Sequence, residues 1–320
     1  MIVRWGLAEL PALLRELGIE RPLLVAGRRW AGLQLAVDPA ARWAEVPTDR
    51  IAEAAEHAGD GVLAVGGGSA IDVGKAISAE RDVELVSVPT TYSGAEWTAF
   101  FGIRDPGRRM RGGGAGARLG GVVYEPDLTL SLPRGETVGT ALNALAHCAE
   151  ALYVANHNPD ADEHALTGAR LIDEWLPQVV ESPHDLEARA RLLEGAMEAG
   201  MALGGSMLAL GHAMAQALGG RYGVPHGAMN ALALPAALRF NAESAPEAVA
   251  RLGKALGTDD PARRVEELAR LGGFKRLRDF GVPVGELSEV ARATVERAGA
   301  KANPRRATAE EVESLLRGIY

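Results

Sequence analysis

A strand that runs into a glycine turn and then a helix constrains the fold of this chain more than any other stretch. The segment "VLAVGGGSAIDVGKAIS", residues 62–78, begins with four apolar residues, passes through three glycines and continues into a helical pattern. A short continuous apolar run of this kind predicts a strand buried on both faces, as in a parallel sheet covered by helices. The segment therefore predicts one βα unit of an α/β domain.

Further strand and helix patterns alternate through the first third of the chain. The runs "RPLLVAG" and "ELVSVPTT" predict two more strands, "RWAEVP" predicts a weaker one, and "TDRIAEAAEHAG" predicts a helix capped by Thr48. This alternation indicates a parallel sheet with helices on both faces. The basic, glycine-rich residues 104–121 predict a hairpin or mobile loop, and later residues are almost entirely helical in pattern. We predict an α/β dinucleotide-binding domain over residues 1–134 and an all-helical domain over residues 135–320.

Composition limits the classes of function. The 320 residues are 47% hydrophobic, which is enough for a packed core, and the formal net charge of −8 argues against nucleic-acid binding. The single cysteine, Cys148, excludes an intrachain disulfide, and the N-terminus lacks the pattern of a signal peptide. The longest apolar stretches are interrupted by histidine and glutamine, so they predict buried helices rather than membrane spans. We expect a soluble cytoplasmic protein with neither nucleic-acid nor membrane partners.

The glycine turn is a candidate phosphate site. Glycines allow the backbone to approach a ligand closely, and a helix N-terminus offers free N–H groups to an anion. The segment "SVPTTYSGAEWT" adds hydroxyl groups just past the next strand, and ligands of open α/β sheets bind beyond the carboxyl ends of the strands. Glycine turns and polar loops are also common without any ligand. Together the two segments favour a nucleotide site formed by Gly67, Gly68, Ser69, Thr90, Thr91 and Ser93.

Three histidines in the helical region have apolar neighbours. His147, His212 and His226 each lie among alanine, leucine and glycine, and Asn143 precedes His147 by one helical turn. A single histidine of this kind is more often a core or surface residue than a ligand. Three buried imidazoles in one domain need polar partners, which indicates a shared cavity. A metal site, a catalytic site without metal and simple core packing all remain open from these residues alone.

Several blocks resemble one known family. The segments "GGGSAIDVGKAIS", "VPTTYSGAEWT", "NALAHCAEALY" and "GHAMAQALGGRYGVPHGAMNALALP" are similar to those of the iron-dependent (group III) alcohol dehydrogenases, relatives of glycerol dehydrogenase and dehydroquinate synthase. The resemblance implies an NAD(H) or NADP(H) domain followed by a helical domain, with the active site in the cleft between them. It also implies further cofactor contacts from Asp72 and Thr129, and assembly into a homo-oligomer, as a dimer or larger.

The resemblance bears on the metal question. Metal-dependent members of this family hold a divalent ion with an aspartate, a histidine four residues later, and two histidines fourteen residues apart. Here His147, His212 and His226 fall on the histidine positions, whereas Asn143 falls on the aspartate position. An asparagine oxygen is neutral and a weaker ligand than a carboxylate. We therefore predict a site that works without metal, although these four residues would be the ligands if a metal bound.

One branch of the family is more similar to this chain than the others. "PTTY.G.E.T", the Asn-Ala-x-Ala-His start of a helix and the basic loop around Arg111 resemble maleylacetate reductases. That resemblance implies NAD(P)H-dependent reduction of the conjugated double bond of maleylacetate, or of a similar keto-dicarboxylate. His147, His212, His226, Asn143 and Arg111 would then form the catalytic set. Two alternatives remain: a metal-dependent (Fe or Zn) alcohol dehydrogenase, and a nucleotide-binding protein without catalysis. The choice between NADH and NADPH also stays open, since Asp38 is only an ambiguous candidate for the ribose contact.

Overall fold

The computed structural model describes all 320 residues, which divide into two compact units. Unit 1 comprises Met1–Thr91 and Ala95–Ser131, and unit 2 comprises Tyr92–Gly94 and Leu132–Tyr320. Every helix is too short or too polar to cross a membrane.

Unit 1 is built on a six-stranded sheet in which all neighbouring strands are parallel. The strands follow the order β1-β8-β5-β4-β2-β3, and β6 and β7 form a separate antiparallel pair. The bounds are β1 Ile2–Trp5, β2 Leu23–Ala26, β3 Ala41–Trp43, β4 Val62–Gly66, β5 Glu84–Pro89, β6 Phe101–Arg104, β7 Met110–Gly114 and β8 Arg118–Tyr124. The parallel α/β architecture predicted for the N-terminal part is confirmed.

Helices cover both faces of this sheet. They are α1 Leu10–Glu16, α2 Ile51–Glu56 and α3 Gly68–Arg81. Side chains along β4 alternate between the faces: Leu63 and Val65 share a core with α1, whereas Val62 and Ala64 share one with α2 and α3. This alternation explains why β4 is apolar throughout, since both of its faces are buried.

Two local expectations for unit 1 have clear outcomes. The predicted hairpin forms, because β6 and β7 pair across the turn at Asp105–Arg109, and β8 then continues the main sheet. The predicted cap of α2 is wrong. The helix begins at Ile51 with Arg50 as its N-cap residue, and the Thr48 hydroxyl instead accepts from Arg50 N at 3.2 Å. Thr48 therefore stabilises the turn that precedes the helix.

Unit 2 is entirely helical. Its helices are α4 Arg134–Tyr153, α5 Pro159–Glu181, α6 Leu186–Gly204, α7 Leu210–Tyr222, α8 His226–Asn241, α9 Pro246–Ala255, α10 Pro261–Leu271, α11 Leu287–Val295, α12 Ala298–Lys301 and α13 Ala309–Gly318. Helix α4 is buried along most of its length and packs against α5, α6, α8 and α10. The backbones of α4 and α8 approach closely at Gly139 and Gly227, where a Cβ on Gly227 would lie 2.5 Å from the Gly139 backbone. This contact brings the start of α8 against the second turn of α4.

Candidate functional site

The turn between β4 and α3 requires glycine at two positions. Gly66 has a φ of 153°, and a Cβ there would lie 2.7 Å from the Cβ of Ala70. A Cβ on Gly67 would lie 2.7 Å from Cγ2 of Thr91. Thr90 N donates to Gly66 O at 3.0 Å, so the end of β5 is tied to this turn. The predicted glycine and threonine segments therefore lie side by side at the carboxyl edge of the sheet.

The start of α3 suits an anionic ligand. The helix begins at Gly68, its N-cap residue is Gly67, and no side chain caps its free N–H groups. Ser69 is exposed in the first turn. The order of the strands reverses beside β4, where β2 lies on one side and β5 on the other, and such reversals are where α/β sheets bind dinucleotides. A close backbone approach and an uncapped helix N-terminus fit the pyrophosphate of NAD(H) or NADP(H).

The other predicted cofactor residues occupy different surroundings. Asp72 is half-buried, with Oδ1 3.5 Å from Lys75 Nζ, and burial raises the pKa of its carboxyl. Thr129 is fully buried and its hydroxyl donates to Pro126 O at 2.7 Å. Ser93 belongs to unit 2, where its carbonyl accepts a hydrogen bond from Asn143. Asp38 is exposed, 4.0 Å from Arg21.

The three predicted histidines lie together in unit 2. His147 is on α4, His212 is in the first turn of α7, and His226 is the first residue of α8. The rings of His147 and His212 stack with centroids 4.8 Å apart, and the ring of His226 lies 5.9 Å from that of His212. His147 and His212 are buried and His226 is half-buried. Helices distant in sequence thus form one imidazole cluster.

Two amide side chains connect the outer histidines of this cluster. Asn143 Nδ2 donates to Ser93 O at 3.0 Å and lies 3.4 Å from His147 Nε2. Asn143 Oδ1 accepts from Asn230 Nδ2 at 2.6 Å, and the same Nδ2 lies 3.1 Å from His226 Nε2. Since the Ser93 carbonyl can only accept, it fixes the orientation of both amides. In this orientation both Nε2 atoms face amide N–H groups, and a neutral ring that accepts a hydrogen bond there carries its proton on Nδ1.

A buried carboxylate holds the third histidine. Glu150, one turn after His147 on α4, is fully buried, and its Oε2 lies 2.7 Å from His212 Nδ1. His212 Nε2 is buried and has no hydrogen-bond partner within the protein. His212 is thus anchored on one side of its ring and available on the other.

This arrangement does not fit a metal ion. Zinc or iron needs several lone pairs converging at about 2.0–2.1 Å. The rings of His147 and His212 stack on each other, with their planes inclined by only 16°. Asn143 Oδ1 is already occupied by Asn230, and no group of three His, Cys, Asp or Glu side chains is placed to hold a metal. Asn143 Oδ1 and the Nε2 atoms of His147 and His226 instead lie in hydrogen-bond contact with the two amides.

Arg111, the last member of the predicted catalytic set, and two polar residues of the quoted segments, Gln216 and Arg221, are engaged elsewhere. Arg111 is half-exposed on β7, where its Nε donates to Asp105 Oδ2 at 2.8 Å. Arg221 donates to both Glu286 and Glu289. Gln216, one turn after His212, accepts from Arg297 at 3.5 Å. Cys148 is buried, and burial raises the pKa of its thiol far above the ordinary range, so it is a packing residue rather than a nucleophile.

The sequence patterns did not identify Glu150 and Asn230 as members of the site. A signal for each is present in the sequence: Glu150 lies three residues after His147, and Asn230 four residues after His226, on the same helix faces. Each is also a polar residue in a run of alanine and leucine. Burial of such residues indicates a polar partner, and here the partners are the histidines themselves.

The chain matches one family of nucleotide-dependent oxidoreductases along nearly its whole length. Residues 2–115 match the family described as iron-containing alcohol dehydrogenase, and residues 137–320 match the C-terminal part of the Fe-containing alcohol dehydrogenase family. The chain belongs to the iron-containing alcohol dehydrogenase family.

Its similar relatives include several maleylacetate reductases. The enzyme of Pseudomonas knackmussii is 35% identical over 330 residues, covering 98% of this chain and 93% of the relative. That of Sphingobium indicum is 38% identical over 266 residues, covering 83% and 75%. The crystal structure of maleylacetate reductase from Agrobacterium tumefaciens superposes with a TM-score of 0.89 at 29% identity, covering 100% of this chain and 95% of that one.

Proposed function

We propose that this chain reduces the conjugated double bond of maleylacetate to give 3-oxoadipate, with NADH or NADPH as the reductant. The observation that carries the proposal is the imidazole cluster, in which amides contact Nε2 of His147, Nε2 of His226 and Oδ1 of Asn143, three of the four atoms that would bind a metal. A set of this kind suits proton transfer and charge stabilisation rather than Lewis-acid chemistry. Similarity to maleylacetate reductases over 98% of the chain supports the same substrate.

The reaction needs one hydride and one proton. When bound, the reduced nicotinamide supplies a hydride to the carbon β to the ketone. The electron pair of the double bond then moves toward the carbonyl oxygen as an enolate, whose α carbon takes up the proton. The chain must therefore stabilise a developing negative charge and deliver a proton in a place shielded from water.

His212 is the proposed proton donor. Its Nδ1 is anchored on Glu150, and its Nε2 is a buried ring nitrogen without a hydrogen-bond partner in the protein. In the resting protein Nε2 carries a lone pair, so it must take up one proton from solvent before the reaction. The carboxylate of Glu150 balances the charge of the ring until that proton passes to the α carbon of the substrate. The rings of His147 and His226 flank His212, and the amides of Asn143 and Asn230 keep these two rings in place.

Unit 1 has the binding role in this proposal. The turn at Gly66, Gly67 and Gly68 and the first turn of α3 would hold the pyrophosphate, with Ser69 and Thr91 as hydroxyl donors. The proposal extends to a cytoplasmic homo-oligomer. The single buried cysteine, which needs no oxidising compartment, and the dimers expected from the family resemblance support that extension.

A substrate comparison under chelation tests the proposal. Consumption of NADH and of NADPH is followed with maleylacetate and with simple aldehydes, before and after dialysis against EDTA. We expect maleylacetate to be reduced much faster than any aldehyde, with a kcat that EDTA changes by less than about twofold. Loss of activity on chelation and its recovery with Fe²⁺ or Zn²⁺ would establish the metal-dependent alternative. Cofactor binding without turnover of any substrate would establish a non-catalytic nucleotide-binding protein.

A further inference from the structure

We infer that Glu150 is the positioning residue of the imidazole cluster: its carboxylate fixes the proton of His212 on Nδ1 and so directs Nε2 toward the reacting substrate. The catalytic consequence rests on the proposed function. The assignment of the tautomer does not, because it follows from the hydrogen bonds alone.

The direction of these hydrogen bonds is set by the backbone. Glu150 Oε2 accepts from Ala209 N at 2.6 Å, and Oε1 accepts from His212 N at 2.9 Å. A backbone N–H can only donate, so both carboxylate oxygens are acceptors. His212 Nδ1, 2.7 Å from Oε2, must then be the donor in its contact. A neutral His212 therefore keeps its proton on Nδ1 and presents the lone pair of Nε2.

The carboxylate also replaces the missing cap of α7. Ala209, the N-cap residue of α7, has no side chain that could accept a hydrogen bond, and Glu150 accepts from two N–H groups at this helix start. The carboxylate thus lies at the positive end of the helix dipole, where a negative charge is stabilising. Glu150 on α4 thus fixes both the start of α7 and the orientation of the His212 ring in the first turn of that helix.

The carboxylate of Glu150 lies where Gly211 has no side chain, and this glycine leaves the space that the carboxylate needs. A Cβ on Gly211 would lie 2.9 Å from Glu150 Oε1 and 3.4 Å from the Cβ of Ala237. Any larger residue at position 211 would push the carboxylate away from the N–H groups that hold it. Gly211 is therefore part of the same arrangement and offers a second way to disturb it without changing the chemistry of the carboxylate.

Glu150→Gln is the direct test. A glutamine can place an oxygen on only one side, so its NH₂ group faces either the backbone N–H of His212 or the pair formed by Ala209 N and His212 Nδ1. We expect kcat for maleylacetate to fall about 100-fold while the KM for the cofactor changes by less than about threefold. Gly211→Ala, which leaves the carboxylate in the chain, should lower kcat in the same direction by a smaller factor.

Asn303→Ala is the matched control. Asn303 Oδ1 accepts from Leu210 N at 3.4 Å, so this variant also weakens the start of α7 but leaves the His212 ring untouched. It should lower the thermal midpoint as Glu150→Gln does, with little change in kcat. An equal loss of kcat in both variants would show that Glu150 acts only as a cap of α7, and this would overturn the inference.

A nitrogen NMR measurement separates this inference from the proposed function. In protein carrying isotope-labelled histidine, with the signals of His212 assigned through His212→Asn, the wild type should show a protonated Nδ1 and an unprotonated Nε2. Glu150→Gln and Gly211→Ala should shift this pattern, and Asn303→Ala should not. If maleylacetate is not a substrate but the pattern holds, only the proposed function fails. A wild-type His212 protonated on Nε2 alone would overturn the inference whatever the substrate.

Discussion

At the scale of single residues, the side-chain amides of Asn143 and Asn230 orient the histidine rings beside them. Asn143 and Asn230 together offer four N–H bonds, and the acceptors within reach are Ser93 O, Asn143 Oδ1 and the Nε2 atoms of His147 and His226. A carboxylate at position 143 would have no proton to give to Ser93 O or His147. The asparagine is therefore an integral part of this hydrogen-bonded set, and its neutrality leaves Glu150 as the carboxylate that contacts the histidines.

Asn230→Ala should damage both stability and catalysis. It leaves Asn143 Oδ1 without its donor at 2.6 Å and releases His226 Nε2. One unsatisfied buried polar group costs about 1–3 kcal/mol. We expect the free energy of unfolding, measured in urea, to fall by about that amount, and kcat for maleylacetate to fall about tenfold or more because the ring of His226 is no longer held.

A second buried amide pair gives the control for this prediction. Asn241 and Asn303 exchange hydrogen bonds of 3.0 and 2.7 Å, with the same chemistry but without a histidine partner. Asn241→Ala should lose a similar amount of stability and keep its kcat. If the two variants lost activity equally, the Asn143–Asn230 pair would have only a structural role.

The sequence supports the choice of these histidines but not their connections. His147, His212 and His226 could be selected because each is a polar residue with apolar neighbours, which is visible in one dimension. The stacking of two rings and the role of Glu150 depend on how α4, α7 and α8 pack, and side-chain patterns do not specify that packing. Glu150 in particular accepts from residues 59 and 62 positions away in the chain.

At the scale of secondary-structure elements, the β4–α3 turn is the feature with the least tolerance for change. Its backbone passes so close to the end of β5 that the methyl group of Thr91 would touch any side chain at position 67. The same closeness exposes the first N–H groups of α3 to a ligand. Binding and packing therefore make different demands on Gly67, and a pair of variants can separate them.

Gly67→Ala should weaken both the fold and cofactor binding, and adding Thr91→Ser should restore only the fold. The second change removes Cγ2, the atom 2.7 Å from the new Cβ, and keeps the hydroxyl. We expect the thermal midpoint to recover in the double variant, while the Kd for NADH or NADPH, measured by fluorescence titration, stays at least about tenfold above wild type. Thr91→Ser alone serves as the control. Recovery of cofactor affinity in the double variant would mean that the added methyl group does not meet the ligand.

Element boundaries were predictable only where the pattern was continuous. The apolar run at β4 and the glycines after it predicted the strand, the turn and the helix, because burial on both faces and close approach each select residue types. The start of α2 was not predictable from Thr48. The hydroxyl of that residue accepts a hydrogen bond from Arg50 N and closes a turn just before the helix, which begins at Ile51. Short helices such as α2, with six residues, leave little pattern to locate their ends.

At the scale of the whole molecule, unit 1 carries a group of buried charges that the proposed chemistry does not use. Lys75 Nζ donates to Thr98 Oγ1 and to Phe100 O at 3.0 Å, and burial lowers its pKa against the attraction of Asp72 and Glu96. Glu96 is also buried. Its Oε1 accepts from Tyr124 at 2.8 Å, and its Oε2 has no hydrogen-bond partner. Burial raises the pKa of Glu96 above its ordinary value, although Tyr124 and Lys75 oppose the shift.

This raised pKa makes the stability of unit 1 fall as the pH rises. The folded state binds the proton of Glu96 more tightly than the unfolded state does, so the unfolding free energy decreases from the ordinary glutamate pKa of 4.5 up to the folded value. Glu96→Gln keeps an acceptor for Tyr124 and has no charge to bury. The difference in unfolding free energy in favour of the variant should therefore be smallest in mild acid and should grow as the pH rises. The growth amounts to about 1.4 kcal/mol for each tenfold difference in proton affinity between the folded and unfolded states.

Tryptophan fluorescence can follow this change in the intact chain. Four of the five tryptophans lie in unit 1, and Trp97 Nε1 donates to the same Tyr124 hydroxyl that binds Glu96. Urea unfolding monitored by this signal at several pH values, for wild type, Glu96→Gln and the exposed control Glu80→Gln, gives the comparison. We expect the Glu80→Gln curve to run parallel to wild type and the Glu96→Gln curve to diverge upward with pH. A gap that stays constant or narrows with pH would show that Glu96 ionises in the folded protein at no cost, because Lys75 would then fully offset its burial.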